Sequence, residues 1–430
     1  MIGQAFGSEA EQQQQDTVII ARDGRLSSPE LAQRLAKGLR ATGRHVIDIG
    51  LVPSPVLYFA THHLKTGTGI MITGSHNPPD YNGLKMMLSG NTLHSDDIQA
   101  LLKRIQDDNL TRQDRGDFKT IDLTPTYIAR IAADIRIERP IHFAYDCGNG
   151  AAGEIAPRLF QALGCEAKGL FTDIDGTFPH HHPDPSKASN LLDLIQHVQQ
   201  EHLDLGIAFD GDADRLGVVD KQGCIIWADR LMVLFATALL KQQPGNAIVF
   251  DVKCSQQLSR AIEQASGVPV MSKTGHSYIK QSMLQHGAIF GGEMGGHFSF
   301  NDPRWYGFDD GLYAAARLLE LLSQSPLSAT EIFSALPNSL ATPEINIALA
   351  EGEPFIFMQQ FIQLADFEKA EIITLDGLRV HFDKGWGLIR ASNTTPALVL
   401  RFEADDELAM REIQALFLAQ IQRVNPRLRF

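Results

Sequence analysis

The feature that most limits what this chain can fold into is a repeated change of period. Apolar runs at 16–21, 69–72, 205–209 and 247–252 show no polar alternation, and each is followed by a longer stretch with helical spacing. Strands written this way are buried on both faces, which calls for a mostly parallel sheet with helices on each side. In order, the pattern predicts a helix over 3–15, a strand over 16–21, and a helix over 28–43 with Ser28 as N-cap and Pro29 in its first turn. A strand over 45–49, a helix over 53–64 and the strand 69–72 follow, then a polar helix over 96–106 and a charged connector, 113–119, that reads as a boundary. Strands at 141–146 and 205–209 with their helices make a second α/β unit, and a third begins near residue 225. From 342 the pattern changes to one helix, several short strands and a final amphipathic helix, 406–423, which is an α+β arrangement with an antiparallel sheet. The expected fold is therefore α/β: three α/β domains with mixed, mostly parallel sheets at 1–121, 122–224 and 225–336, and a C-terminal α+β domain at 337–430.

Charge narrows the partners. The formal net charge of −13 leaves no cationic footprint for nucleic acid, so an anionic ligand has to meet locally gathered cations. The four cysteines, Cys147, Cys165, Cys224 and Cys254, are too far apart for a zinc pair and are expected to be free thiols in a reducing compartment. No apolar run approaches the length of a membrane span, and no leader is evident, so a cytoplasmic location without a membrane partner is expected.

Four stretches carry chemistry. In TGSHNPPDYNGLK (73–85), Gly74 turns the chain at the end of a strand, and Pro78 and Pro79 keep the loop from becoming helix, so Ser75 is presented with His76, Asn77 and Lys85 nearby. Serines in such loops are more often turn formers than nucleophiles. In FDGDADR (209–215), Asp210, Asp212 and Asp214 alternate with small residues, so their carboxylates can converge on one hard cation. A calcium loop of the EF-hand type is excluded because Lys221 stands where its glutamate belongs. In GGEMGGH (291–297), glycines allow close approach of a ligand to Glu293 and His297, although a glycine-rich turn with an incidental glutamate would look alike. In RASNTTP (390–396), a guanidinium with hydroxyls and an amide suits a phosphate. His180, His181 and His182 lie among prolines without spaced metal ligands and read as a structural loop. Cys147-Gly-Asn-Gly150 reads as a tight strand-to-helix turn, since neither dinucleotide nor P-loop spacing is present.

Taken together, in this order and one per domain, the four stretches resemble the signature loops of the alpha-D-phosphohexomutases, particularly their bacterial phosphomannomutase/phosphoglucomutase branch. VFDVKC (249–254), KTGH (273–276) and WYGFDD (305–310) extend the likeness over nearly the whole chain. The resemblance implies that the three α/β domains are related and stand with the fourth around a central cleft, in an enzyme interconverting hexose 1-phosphates and hexose 6-phosphates of mannose or glucose. Ser75 would carry the phosphoryl group, and one Mg²⁺ would be held by Asp210, Asp212, Asp214 and an oxygen on Ser75. Arg215 would stabilise the group in transfer, and Lys85 and His297 would move protons. Glu293 would read sugar hydroxyls, with Lys253 and His276 as further contacts. Arg390, Ser392, Asn393 and Thr394 would clamp the phosphate that is not reacting, and glucose 1,6-bisphosphate would be intermediate and activator. A monomer is expected.

Two departures qualify the likeness. Gly295 stands where the family has a serine, removing a hydroxyl contact to the sugar. The family also opens with a strand and turn of the type AYDIRG, whereas here Met1 lies inside the helix that follows it, so an upstream in-frame segment is expected. The alternatives are a phosphoglucosamine mutase, or a sugar-phosphate binding protein whose turnover is impaired.

Overall fold

In the computed structural model, every residue but Lys369 and Thr394 is described. The first sheet runs in the order Asn91–Thr92, Leu84–Leu88, Gly69–Ile72, Thr17–Arg22, His45–Leu51, Phe118–Thr120. Thr17–Arg22 pairs in parallel with both neighbours, while Leu84–Leu88 returns antiparallel to Gly69–Ile72 and carries Lys85 opposite Met71. That return strand is absent from the sequence reading because its first two residues are only half buried and give no apolar run. The connector predicted over 113–119 ends instead in the exposed edge strand Phe118–Thr120. Ser28 is not the N-cap: Ser27 takes that position, and the buried Ser28 hydroxyl donates to Asp23 Oδ1 at 2.6 Å.

The second sheet has the order Ile225–Ile226, Leu216–Asp220, Leu205–Phe209, Phe143–Asp146, Ala167–Leu170. Its hairpin Leu205–Phe209/Leu216–Asp220 is antiparallel and encloses the three aspartates in its turn. Ile225–Ile226 pairs with Leu216–Asp220, so this sheet extends past residue 224, because a two-residue strand adds its hydrogen bonds to whichever edge lies beside it. The third sheet orders Val268–Ser272, Ala247–Asp251, Phe290–Gly292, Phe298–Phe300, and the turn of its last, antiparallel pair holds Glu293 to His297. The fourth is an antiparallel sheet of Leu340–Ala341, Ala397–Ala404, Gly385–Ala391, Leu378–Phe382 and Glu371–Ile373, with Ile345–Ala348 also on Ala397–Ala404. Helices Glu353–Leu364 and Glu407–Val424 pack on it.

One large core cluster joins residues of all three α/β units, from Tyr58 and Phe59 through Tyr127, Phe160 and Phe209 to Phe235 and Phe290. The C-terminal unit has its own core around Phe361, Leu400, Phe402 and Phe417. Buried arginines tie the two bodies together. Arg379 stacks on Trp386 with its guanidinium 3.7 Å from the ring centroid and donates to the carbonyls of Val252 and Cys254 at 2.6 and 2.8 Å. Arg401 donates to the Lys253 carbonyl and, at 3.2 Å, to Asp229. Among the described residues no helix is long and apolar enough to cross a membrane.

Candidate active site

The serine loop and the aspartate loop meet backbone to backbone. A Cβ at Gly211 would lie 2.3 Å from the Ser75 carbonyl oxygen, so only glycine at 211 lets the two turns approach this closely. Ser75 takes a left-handed conformation, φ 47°, with its amide donating to Thr73 Oγ1 at 2.8 Å. Its Oγ donates to Asp210 Oδ2 at 2.8 Å and lies 3.1 Å from His76 Nδ1. The positive field of Arg215, with burial, pulls His76 down to about 3, so its ring is neutral near pH 7.

Asp210, Asp212 and Asp214 are fully buried, and their ligand atoms lie within 4.8 Å of one another. Burial and its two neighbours push the Asp210 carboxyl well above the usual range. Burial opposes ionisation of Asp212 too, but Lys85 and the Ser54 hydroxyl outweigh it and hold that carboxyl below its ordinary value. Lys85 Nζ sits between Asp212 Oδ2 at 2.6 Å and Asp214 Oδ2 at 2.5 Å. Although burial alone would lower the ammonium, those two carboxylates raise it well above the ordinary lysine value. A cation thus already occupies part of the cluster, and Asp212 Oδ1 and Asp214 Oδ1 are buried without a hydrogen bond among the described residues. Three clustered carboxylates with orphaned oxygens fit a hard divalent ion such as Mg²⁺.

The aspartate loop and the glycine-rich loop form a short antiparallel bridge at Arg215 and His297. Arg215 Nε donates to His297 Nε2 at 2.9 Å, which places the imidazole proton on Nδ1. That nitrogen faces Asp309 Oδ2 at 3.2 Å. Asp309 also meets Lys280 at 2.9 Å and His276 Nδ1 at 3.4 Å. Glu293 is buried, which raises its carboxyl, and accepts the Gly275 amide at 2.6 Å. Gly295 has open space: a Cβ there would find nothing nearer than Arg215, 3.8 Å away.

Across the cleft, Lys253 Nζ pairs with Glu344 of the C-terminal unit at 2.7 Å. Arg390 Nε donates to Asp376 Oδ2 at 2.9 Å, and that same oxygen accepts the Thr274 amide at 3.0 Å. Among the described residues the buried Arg390 Nη2 has no hydrogen-bond partner, which suits it to taking an anion. Ser392 is buried and accepts from Thr395, Asn393 is exposed, and Thr394 lies outside the described residues.

The whole arrangement matches known proteins over its length. Family models described as phosphoglucomutase/phosphomannomutase, alpha/beta/alpha domains I, II and III, match residues 1–112, 125–223 and 227–340, and the C-terminal domain model matches 344–420. The chain belongs to the phosphoglucomutase/phosphomannomutase family. It is 51% identical over 425 residues to the phosphomannomutase/phosphoglucomutase of Pseudomonas syringae pv. tomato, covering 99% of this chain and 91% of that one. A phosphoglucomutase of Neisseria meningitidis is 49% identical, covering 100% and 93%. The crystal structure of a phosphoglucomutase/phosphomannomutase family protein from Burkholderia thailandensis superposes with a TM-score of 0.94 at 47% identity, covering 100% and 93%.

Several residues that shape this family site went unremarked in the sequence. Asp23 and Arg25 brace the serine loop, and Asp184, from the histidine-proline loop, lies 3.9 Å from Arg215. The triple histidine has the structural part expected of it: His182 contacts the His76 carbonyl, His181 meets Asp146 at 2.9 Å, and His180 meets Asn149 at 2.8 Å. Asp251 accepts from the Met294 amide and the Thr274 hydroxyl, each at 3.0 Å. Asp23 and Asp251 lie at the carboxyl ends of parallel strands, where open α/β sheets bind ligands, and that position is the signal that could have found them.

Proposed function

We propose that this protein is a hexose phosphate mutase that interconverts the 1- and 6-phosphates of glucose and mannose through a phosphorylated Ser75 and a hexose 1,6-bisphosphate. The observation that carries the reading is Ser75 Oγ, 2.8 Å from Asp210 in the three-aspartate cluster, with a second, separate anion receptor at Arg390. One reactive position and one distant clamp are what a substrate with two alternative phosphate positions requires.

Asp210, Asp212 and Asp214, with an oxygen of phosphorylated Ser75, would hold Mg²⁺, which when bound polarises the phosphoryl group. Arg215 bears on the equatorial oxygens of that group. Lys85 and His297 exchange the proton of the sugar hydroxyl, Lys85 once it is released from the carboxylates. Glu293 accepts sugar hydroxyls, while Lys253 and His276 line the same cleft. Arg390, Ser392, Asn393 and Thr394 grip the phosphate not in transfer. Ser75 gives its phosphoryl to the free hydroxyl, the bisphosphate turns end over end, and the other phosphate returns to Ser75.

The test is a coupled assay with glucose 1-phosphate or mannose 1-phosphate, Mg²⁺ and a trace of glucose 1,6-bisphosphate. The expected result is turnover of both sugars, labelled phosphate on Ser75, and loss of both signals in Ser75→Ala. Undiminished turnover in Ser75→Ala would overturn the mechanism.

A further inference from the structure

We propose that Asp309 is a positioning residue of the cleft, a single carboxylate that fixes the tautomer and the direction of two imidazoles, His276 and His297. The inference rests on the mutase reading for what those histidines serve, and on geometry alone for how they are held.

Asp309 is itself fixed through the backbone. It forms an antiparallel bridge with Ser299 in the strand Phe298–Phe300, which leaves the glycine-rich loop. Its neighbour Asp310 caps helix Gly311–Gln324 by accepting the Tyr313 amide at 2.9 Å, and it also accepts the Tyr127 hydroxyl at 2.9 Å from helix Thr124–Asp134. The Asp309 side chain is buried, and its two oxygens divide their contacts. Oδ1 accepts from Lys280 Nζ at 2.9 Å, whereas Oδ2 faces His297 Nδ1 at 3.2 Å and His276 Nδ1 at 3.4 Å. His276 and Lys280 stand one turn apart on helix His276–His286, so one helix face delivers an imidazole and an ammonium to the same carboxylate. Lys280 is steadied in turn by the Tyr58 ring, whose centroid lies 4.3 Å from Nζ. Burial opposes ionisation of Asp309, but Lys280 and then His276 hold its carboxyl well below the usual range, so it can only accept.

An acceptor that cannot donate decides where each imidazole carries its proton. Nδ1 is the protonated nitrogen of both rings, and Nε2 is left as the acceptor. The rings lie nearly parallel, at 19° with centroids 5.7 Å apart, which lets one oxygen serve both edges. At His297 the consequence is visible, since Nε2 accepts from Arg215 Nε at 2.9 Å and so aims the guanidinium assigned to the phosphoryl group. Asp214 Oδ1, 3.5 Å from His297 Nδ1, is a second and more distant acceptor for that ring, whereas among the described residues His276 pairs with no carboxylate but Asp309. Asp309→Asn reverses the arrangement at His276. Lys280 keeps the amide oxygen, the amide nitrogen turns to the rings, and a donor there requires Nδ1 to accept, which moves the proton to Nε2.

The test is nitrogen NMR of isotope-labelled histidine rings in the full chain at about pH 8, above the ordinary histidine pKa of about 6.5, with His276→Gln and His297→Gln supplying the assignments. The expected result is protonation at Nδ1 in both rings of the unaltered chain and at Nε2 of His276 in Asp309→Asn. In the mutase assay Asp309→Asn should lower kcat on the order of 100-fold while KM stays within about threefold, because misplaced reacting groups cost rate more than binding. Protonation at Nε2 in either ring of the unaltered chain would overturn the proposal whether or not the variant folds. An unchanged His276 pattern or an undiminished kcat in Asp309→Asn would overturn it as well. The expected nitrogen pattern in an unaltered chain without turnover would instead overturn the mutase reading.

Discussion

The guanidinium of Arg25 donates to the carbonyl oxygen of Ser75 at 2.8 Å from fifty positions earlier in the chain. It also donates to the carbonyls of Asn77, Pro78 and Tyr81, at 2.6, 2.5 and 2.9 Å, so one buried side chain gathers the turn that presents the serine. Gly74 is what admits it, since a Cβ there would lie 2.5 Å from Arg25 Nε. Asp23 completes the brace by ion-pairing with Arg25 at 3.2 Å and accepting the Gly74 amide.

Arg25→Ala should therefore act on catalysis without touching substrate. Displacing a reacting atom by about 1 Å costs on the order of 100-fold in rate, and that is the expected fall in kcat. Unpairing the buried Asp23 should also lower stability by about 3 kcal/mol, visible as a lower Tm. Arg25→Lys, a single point charge, should recover little of either.

Asp376 holds Arg390 and the Thr274 amide with one oxygen, linking the phosphate-facing arginine to the loop that bears Gly275, whose amide donates to Glu293. In Asp376→Ala the guanidinium loses its orientation. A charged hydrogen bond of about 1.5–3 kcal/mol corresponds to a KM for hexose phosphate raised at least about tenfold, with kcat changed much less, in steady-state kinetics.

Gly295 has neither positive φ nor crowding to require glycine. Gly295→Ser should leave the folding stability within about 0.5 kcal/mol of its starting value, as read by denaturant melts. Its hydroxyl enters beside Arg215, so the ratio of kcat/KM for glucose and mannose phosphates should change while the fold does not.

His381 provides a pH signature away from the cleft. Burial, then Arg379, draws its pKa down to about 4, and its Nε2 accepts from Arg379 Nε at 2.9 Å. An unfolded histidine titrates near 6.5, so between about 6.5 and 4 the unfolded chain takes up a proton that the native ring refuses. Its contribution is whole above about pH 6.5 and is lost as pH falls through that window. His381→Gln keeps an acceptor for Arg379 without the titration. Its stability relative to the unaltered chain should rise by about 1–2 kcal/mol from pH 7 to pH 4, allowing for the partial exposure of the ring, as read by denaturant melts.

How far letters alone reach is clear from particular elements. The apolar strands Thr17–Arg22, Gly69–Ile72, Leu205–Phe209 and Ala247–Asp251 are legible because burial on both faces leaves an unbroken hydrophobic run. Leu84–Leu88 and Phe298–Phe300 escape because short return strands carry mixed or ambiguous patterns. The four loops stand out because turns around ligands need glycine, and metal and phosphate sites need particular side chains at close spacing in the chain.

The local chemistry of Ser75, of the three aspartates, of Glu293 with His297, and of Arg390 was written into short stretches, and so was the α/β order of the first three units. Only the tertiary structure decided that Lys85 lies on Asp212 and Asp214, that Arg25 braces the serine turn, and that Asp309 and Asp376 join the cleft. The reason is that ion pairs and hydrogen bonds between distant segments depend on angles and distances set by packing, and an aspartate or arginine at a strand end reads the same whether or not its partner arrives.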